Sequence, residues 1–446
     1  MSQQNEMKRR NFLKNSALGL LGASFLNNGN LAFSQNNTNT ATPAVSPETG
    51  NAKIKEFRVL GRTGFKVSDI STGGPRNEAL LNAILDTGVN YIDTAESYGR
   101  GLSETVTGNV LKNRDRKTIF VTTKLAIKKD DTKETILKRA RESLGRLQMD
   151  YVDCLMMHNP ATVEILNSEA FHQAAKQLKS EGKIKHIGIS NHGSQWGEKN
   201  DSMEKVCLAM AADGRFDVLL FVFNFVLKES GERILKACKD KNIGVTLMKT
   251  NPVAMYMETQ NDVENLKKEG KEVPPRMTEM LSTLKSTYDA GIAVLNKLNA
   301  KTPSEMRDAA IKFTLSYPEV HTVCCSFENF DDIDPFIKLS GQKFSSVEMK
   351  KLAAYTESFG PLYCRHACGM CEAQCPQKVP VNTIMRYNHY FIAQNREKYA
   401  MQKYAELTTP RADNCINCTG HCQSACPYGV QIHGLLTLAH QRLILA

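Results

Sequence analysis

Short β-rich runs alternate with longer helical patterns from Phe57 to about Leu339, and this alternation constrains the fold more strongly than any other feature of the chain. The stretches between the runs, such as Thr132 to Leu147, have apolar residues spaced three and four apart, as amphipathic helices do. The β-rich runs lie at residues 67–71, 89–92, 118–123, 151–157, 184–189, 217–223, 243–248 and 320–324. Repeated βα units of this number predict a (β/α)8 barrel, with a doubly wound sheet as the alternative.

Polar side chains stand at the ends of consecutive predicted strands. Asp93 follows "VNYI", Tyr98 lies shortly after it, Lys124 follows "TIFVTT", and His158 follows "YVDCLMM". The C-terminal strand ends of a barrel form one face, so we expect these four side chains to converge there. The alternative is a buried ion pair beside a core tyrosine and a core histidine.

Four motifs, "GVNYIDTAESYG", "TTK", "LMMH" and "GISN", resemble the aldo/keto reductase family over about residues 57–340. The resemblance implies the barrel, a small carbonyl or alcohol substrate, and a catalytic tetrad of Asp93, Tyr98, Lys124 and His158. It also implies an NAD(P) cofactor, with Ser190 and Asn191 holding the nicotinamide carboxamide.

The tetrad side chains suit the reduction of a carbonyl, which needs a hydride at carbon and a proton at oxygen. Tyr98 is expected to supply the proton, although an ordinary tyrosine pKa of about 10 is high for transfer near neutrality. A neighbouring ammonium stabilises the phenolate, so Lys124 is expected to lower that pKa. Asp93 would keep Lys124 charged and oriented, and His158 would polarise the substrate oxygen.

The eighth strand departs from the family pattern. "CCSFEN", from Cys324 to Asn329, replaces the glycine-bearing phosphate loop, with Glu328 near the usual basic residue. A carboxylate repels the 2′-phosphate of NADP. The sequence therefore leaves open the choice between NAD, NADP and no nucleotide.

The C-terminal part carries two compact cysteine runs, each of which ends in Cys-Pro. An iron–sulfur cluster needs four converging thiolates, and short spacings closed by Cys-Pro allow one loop to wrap it. Two such runs predict two [4Fe-4S] clusters, and this part resembles the ferredoxin-like domain of one branch of the family. The predicted ligands are Cys364, Cys368, Cys371, Cys375, Cys415, Cys418, Cys422 and Cys426.

Other readings of the cysteines stay open. A zinc site also uses four cysteines, but usually as two pairs separated by a longer loop. Disulfides form in exported proteins, yet neighbours three or four residues apart pair awkwardly. In two-cluster ferredoxins the last cysteine of each run serves the other cluster, so Cys375 and Cys426 are candidates for exchange.

The N-terminus predicts export. Residues 1–34 combine the paired Arg9 and Arg10 in "RRNFLK" with a short apolar run from Ala17 to Leu26, and they resemble a twin-arginine signal peptide. The alternative is a disordered basic tail. The twin-arginine machinery exports folded proteins, so we expect a periplasmic protein whose clusters are assembled inside the cell and whose nicotinamide travels tightly bound.

The sequence also predicts the order of the domains and the classes of partner that its composition disfavours. The polar residues 35–53 read as a flexible linker, 54–345 as the barrel with a polar insertion at 252–303 over its mouth, and 346–446 as a small, mainly helical iron–sulfur domain. The formal net charge of +10 is scattered among acids, which argues against nucleic acid. No later segment approaches eighteen consecutive apolar residues, so no stable membrane span is expected.

The sequence thus predicts an exported carbonyl or alcohol oxidoreductase whose clusters recharge a retained nicotinamide and meet a redox partner protein. The alternative is an electron-transfer or ligand-binding protein whose barrel performs no hydride chemistry. In a third reading the metal domain is only structural.

Overall fold

A closed barrel of eight parallel strands forms the centre of the computed structural model, which describes residues 52–193, 201–357, 363–365, 368–408 and 410–444. The predicted export signal and nearly all of the predicted linker lie outside these residues. The barrel strands are β3 (Ile70–Gly73), β4 (Tyr91–Asp93), β5 (Phe120–Leu125), β6 (Val152–His158), β7 (Ile184–Asn191), β8 (Val218–Val222), β9 (Gly244–Met248) and β10 (Thr322–Cys325). They pair in sequence order, and β10 closes the ring against β3. The predicted (β/α)8 barrel is confirmed.

The first predicted strand, residues 67–71, is in fact two strands. β1 (Phe57–Val59) and β2 (Lys66–Ser68) form an antiparallel hairpin, and β3 begins after Asp69. The buried Asp69 carboxylate accepts hydrogen bonds from Ser340 Oγ at 2.6 Å and from the Gly341 amide at 2.7 Å. These hydrogen bonds join Asp69 to a segment about 270 residues away and fix the break between β2 and β3. No local sequence pattern predicts them.

Helices surround the barrel strands and also form the C-terminal part of the chain. In chain order they are α1 (Glu78–Asp86), α2 (Leu102–Leu111), α3 (Lys133–Leu147), α4 (Val163–Leu166), α5 (Glu169–Ser180), α6 (Met203–Asp213), α7 (Lys228–Asp240), α8 (Ala254–Lys268), α9 (Pro275–Lys297), α10 (Pro303–Leu315), α11 (Ile333–Ile337), α12 (Ser346–Glu357), α13 (Val381–Ala393), α14 (Glu397–Ala405), α15 (His421–Ser424) and α16 (Ile432–Leu443). Short 3-10 helices lie at Gly61–Thr63, Tyr98–Gly101, Arg116–Thr118, Phe225–Leu227, Phe330–Asp332, Glu372–Gln374 and Ala412–Cys415.

Local chemistry explains where individual helices begin. At the start of α10, Thr302 Oγ1 accepts from the Glu305 amide at 3.2 Å, and the Glu305 carboxylate accepts from the Thr302 amide at 2.9 Å. This capping box satisfies two backbone donors, and Pro303 in the first helical position supplies the required φ angle.

The insertion forms a helical hairpin of α8 and α9, in which the rings of Tyr256 and Tyr288 stack 4.2 Å apart. The hairpin follows β9, and α9 also contacts the Phe225–Leu227 turn that follows β8. It therefore lies on the C-terminal side of the strands.

The C-terminal helices have a hydrophobic core of their own, separate from that of the barrel. Buried members such as Ile384, Tyr404 and Leu436 join α13, α14 and α16, and most of the predicted ligand cysteines pack around them. Among the residues that the structure describes, no helix is both long and apolar enough to cross a bilayer.

Candidate active site

The C-terminal ends of β4, β5 and β6 bring the predicted tetrad together. Asp93 and His158 are the last residues of their strands, Lys124 lies near the end of β5, and Tyr98 begins the 3-10 turn after β4. Lys124 Nζ lies 2.6 Å from Asp93 Oδ2 and 3.3 Å from the Tyr98 hydroxyl. The Tyr98 and His158 rings meet edge to face, with centroids 5.6 Å apart.

The electrostatics of the tetrad follow from burial. Lys124 is completely buried, and although burial lowers the pKa of its ammonium, Asp93 and Tyr98 more than offset this and raise the pKa above its ordinary value. Burial also raises the pKa of Tyr98, and Lys124 lowers it only in part. The expected net lowering of the Tyr98 pKa is therefore not seen, because desolvation of the phenolate outweighs the ammonium. Tyr98 holds its proton at neutral pH.

A second histidine, His192, enters the site directly after β7. Its Nε2 lies 3.1 Å from His158 Nε2. Burial, followed by the charges of Lys124 and Lys249, lowers the pKa of His158 to about 3. Burial and then the charge of Lys249 lower the pKa of His192 well below its ordinary value. Both rings are neutral near pH 7, so one donates and the other accepts.

Lys249, directly after β9, is a second residue that the sequence predictions did not include. Its backbone has a φ of +51°, a left-handed conformation uncommon for lysine. Asn224 Nδ2 donates to the Lys249 carbonyl at 3.3 Å and so ties it to the end of β8. Burial lowers the pKa of the Lys249 ammonium to about 8. The predictions from the sequence assigned a role to neither His192 nor Lys249, and each lies one residue beyond a strand end.

The residues expected to hold a nicotinamide lie beside the tetrad. Ser190 and Asn191 are buried at the end of β7, and Ser190 pairs in register with His158 on β6. Ser190 Oγ accepts from the Asn159 amide at 3.3 Å, and Asn191 Oδ1 accepts from the Gly193 amide at 3.1 Å. A hydroxyl and a side-chain amide at this point fit a carboxamide ligand.

The loop after β10 does not fit a phosphate group. The Asp332 carboxylate accepts from the amides of Glu328 and Asn329, at 2.8 and 3.0 Å, so these backbone donors are already engaged. Burial, followed by the charges of Glu328 and Asp262, raises the pKa of Glu258 on α8. These carboxylates make the region repel a nucleotide phosphate.

The eight predicted ligand cysteines fall into two sets. Four of them line one small cavity, and these are Cys364, Cys368, Cys371 and Cys426. In the other set, burial and then the neighbouring Cys422, Cys375 and Cys418 thiols raise the pKa of Cys415 to about 12. The last cysteine of each run therefore lies with the other run.

Hydrogen-bond donors surround the cysteines. Asn382 Nδ2 donates to Cys364 Sγ at 3.3 Å, and the amides of Val379 and Gly420 donate to Cys375 and Cys418, both at 3.4 Å. All thirteen cysteines are free thiols, which overturns the disulfide alternative. Within the described part of the chain, no three His, Cys, Asp or Glu side chains converge closely enough for a single metal ion.

Known proteins resemble the barrel part of this chain. The sequence model of the Aldo/keto reductase family matches residues 67–357. L-galactose dehydrogenase of Arabidopsis thaliana is 29% identical over 299 residues, which cover 63% of this chain and 86% of that protein. The aldo-keto reductase YhdN of Bacillus subtilis is 24% identical over 326 residues, which cover 68% and 94% of the two chains.

The solved structure of an aldo-keto reductase from Bacillus halodurans in its holo form superposes with a TM-score of 0.50 at 20% identity. It covers 68% of this chain and 96% of its own, and it supports the fold. The family match ends before the first cysteine run.

Proposed function

Since the chain belongs to the aldo/keto reductase family of oxidoreductases, we propose that its barrel reduces a carbonyl compound, or oxidises the corresponding alcohol, with Tyr98 as the proton donor. The observation that carries this proposal is the chain of contacts from Asp93 through Lys124 Nζ to the Tyr98 hydroxyl, at 2.6 and 3.3 Å. A donor must be protonated at rest and lose its proton easily as charge develops on the substrate oxygen.

Each tetrad member has a defined task. Burial keeps the proton on Tyr98 before reaction, and the adjacent Lys124 ammonium stabilises the phenolate when the proton leaves. Asp93 keeps the ammonium charged, and the Thr94 carbonyl, 2.8 Å from Nζ, fixes its position. A substrate carbonyl oxygen that takes the place of His192 at His158 Nε2 would accept the single N–H of the neutral imidazole, which polarises the carbonyl without giving up its proton.

The family implies NAD(P)H as the hydride source, and among the residues that the structure describes the fit to that cofactor is found at its nicotinamide end. Ser190 and Asn191 would hold the carboxamide beside the tetrad, where a bound nicotinamide supplies hydride to the substrate carbon. The loop containing Glu328 and Asp332 offers no comparable fit for phosphates, and NADP is disfavoured more than NAD because it carries one more phosphate.

The C-terminal unit is proposed to hold two [4Fe-4S] clusters with exchanged ligands. Each set combines three cysteines of one run with the last cysteine of the other run. The first set is Cys364, Cys368, Cys371 and Cys426, and the second is Cys415, Cys418, Cys422 and Cys375. Amide donors at 3.3 to 3.4 Å from three sulfurs would stabilise the charge of the bound thiolates. A four-iron core is larger than one Zn²⁺ ion with its Zn–S distance of about 2.3 Å, so its ligands need not converge as tightly.

Contacts between the C-terminal unit and the barrel support a route for electrons. Arg365, next to Cys364, forms a bidentate ion pair with Glu229 at 2.6 and 2.8 Å. Arg233 contacts both Tyr428 and the buried Glu204. Glu229 lies in the first turn of α7, close in sequence to Asn224, which holds Lys249 in the active site. The Cys364 set is thus the proposed inner cluster, and the other would meet a redox partner protein.

The location remains a proposal from the sequence. The twin-arginine motif at Arg9 and Arg10 supports export of the folded protein to the periplasm, where free reduced nicotinamide is not expected. The cofactor would therefore travel bound, and the clusters would recharge it. A second candidate, an electron-transfer or ligand-binding protein without hydride chemistry, is favoured by the phosphate-repelling loop at Glu328.

Metal and nucleotide content separates these candidates. The mature protein is purified without air and denatured, and iron, sulfide, zinc and released nucleotide are quantified per chain. About eight irons and eight sulfides with one nicotinamide per chain would support a reductase whose two clusters recharge a bound nicotinamide. Clusters without nucleotide would favour the second candidate, and zinc without iron would overturn the cluster assignment.

A further inference from the structure

The active site holds more basic groups than carbonyl reduction requires. Lys124 is neutralised by Asp93, at 2.6 Å, and Tyr98 and His158 complete the tetrad. Lys249 is an additional ammonium at the same face, and no ion pair with it is found among the residues that the structure describes.

Lys249 lies at the C-terminal end of β9, on the barrel face that carries the tetrad. Its backbone follows Met248, which pairs with Val222 in the β8–β9 register, and Asn224 anchors its carbonyl. Its charge acts on both His158 and His192, whose rings are in contact. The left-handed φ of +51° is a conformation that lysine adopts only when the surrounding structure imposes it.

We propose that Lys249 recognises a carboxylate on the substrate, so that the barrel acts on 2-oxo acids and the corresponding 2-hydroxy acids. An ammonium without a counterion in a partly buried site binds an anion through a charge-assisted hydrogen bond. In a 2-oxo acid the carboxylate adjoins the carbonyl carbon, so Lys249 can hold the acid group while Tyr98 and His158 address the ketone. The reduction of 2-oxo acids rests on the proposed oxidoreductase function, whereas the binding of a carboxylate by Lys249 does not.

Calorimetric titration with oxamate, an unreactive analogue of a 2-oxo acid, tests the binding directly in the intact protein. Oxamide, its neutral counterpart of similar shape, is titrated in parallel. We expect the wild type to prefer oxamate, and Lys249→Asn to lose about ten-fold or more of its oxamate affinity. Asparagine tolerates the left-handed backbone, so this variant removes the charge with little strain.

Two further variants serve as controls. Lys249→Arg restores a cation and is expected to recover most of the oxamate affinity. Lys241→Asn removes an exposed lysine that precedes β9 at the opposite end of the barrel and should leave oxamate binding unchanged. Circular dichroism of each variant confirms folding.

Three results would overturn the proposal. They are equal affinities of the wild type for oxamate and oxamide, an unchanged oxamate preference in Lys249→Asn, and binding of inorganic pyrophosphate that exceeds oxamate binding and disappears in Lys249→Asn. The last result would assign the lysine to a nucleotide phosphate. Because titration needs no turnover, oxamate binding without reduction of any carbonyl would contradict the proposed reaction while leaving the carboxylate site supported.

Discussion

The Nε2 atoms of His158 and His192 lie 3.1 Å apart, at the point where the substrate oxygen of a carbonyl reductase would be polarised. Both rings are neutral at pH 7, since burial and neighbouring ammonium groups disfavour their charged forms. A neutral pair keeps one N–H available without adding positive charge to a site that already contains Lys124 and Lys249. This arrangement leads to a prediction about acid stability.

His158 is expected to make the folded protein sensitive to acid. Its folded pKa of about 3 lies below the ordinary value of 6.5, so at pH 5 the unfolded chain binds a proton there and the folded protein does not. The stability from the neutral ring is present above pH 6.5 and is lost as pH falls toward 3, by up to about 1.4 kcal/mol per pH unit.

Thermal unfolding between pH 7.5 and 5 measures this loss. The wild type should lose stability relative to His158→Gln as the pH falls, because glutamine does not titrate. His172 lies outside the active site, and burial also lowers its pKa. The variant His172→Gln is therefore measured as a matched comparison. A constant difference between the wild type and His158→Gln across this range would show that the pKa of His158 is not lowered in the folded protein.

Asp93 is expected to stabilise the protein and to support catalysis. Asp93→Asn leaves the fully buried Lys124 without its counterion, which should cost about 3–5 kcal/mol in the free energy of unfolding. Adding Lys124→Met should recover most of that stability, because the unpaired charge is gone. Turnover should remain low in both variants, because Lys124 is no longer held in position by Asp93 in the single variant and is absent from the double variant.

Stability and turnover are therefore measured together for the single and double variants. A gain of turnover along with stability in the double variant would mean that the ion pair is only structural. Glu56→Gln, which breaks the partly exposed pair with Arg58, is a control that should have little effect on turnover.

Paired cysteine substitutions test the exchange of cluster ligands. Cys371→Ala with Cys426→Ala removes two ligands from one proposed set and should leave one cluster, with about four irons per chain. Cys371→Ala with Cys375→Ala removes one ligand from each set and should weaken both clusters. Cys207→Ala, a buried barrel cysteine, should leave the iron content unchanged.

Iron and sulfide analysis, with spectra of the reduced protein, distinguishes these double variants. If instead the Cys371/Cys375 variant retained one intact cluster and the Cys371/Cys426 variant lost both, each run would bind its own cluster. The assignment of Cys364, Cys368, Cys371 and Cys426 to one cavity would then need another explanation.

The sequence was sufficient for the barrel because short β-rich runs alternate with amphipathic helical patterns and polar site residues stand at strand ends. The sequence was not sufficient where contacts between distant parts of the chain determine the local structure. The break at Asp69 depends on Ser340 and Gly341, which lie far along the chain. The place of His192 and Lys249 in the site could be recognised only once the closed barrel brought them to one face.

The same limit applies to the Tyr98 pKa. The sequence indicates an adjacent ammonium and hence a lower pKa, but burial depends on the whole fold and acts in the opposite direction more strongly. Exchange between the cysteine runs could be anticipated from ferredoxin spacing, whereas the cavity that joins Cys426 to the first run is visible only in three dimensions.

Single-turnover reduction of a carbonyl substrate by the wild type and by Tyr98→Phe tests the central claim most directly. Phenylglyoxylate is a suitable substrate, and the anaerobically reduced protein supplies the electrons. Removal of the hydroxyl should slow the chemical step by about 10²-fold or more, while oxamate affinity changes little, because Phe keeps the ring in place. An unchanged rate in Tyr98→Phe would contradict the assignment of Tyr98 as the proton donor.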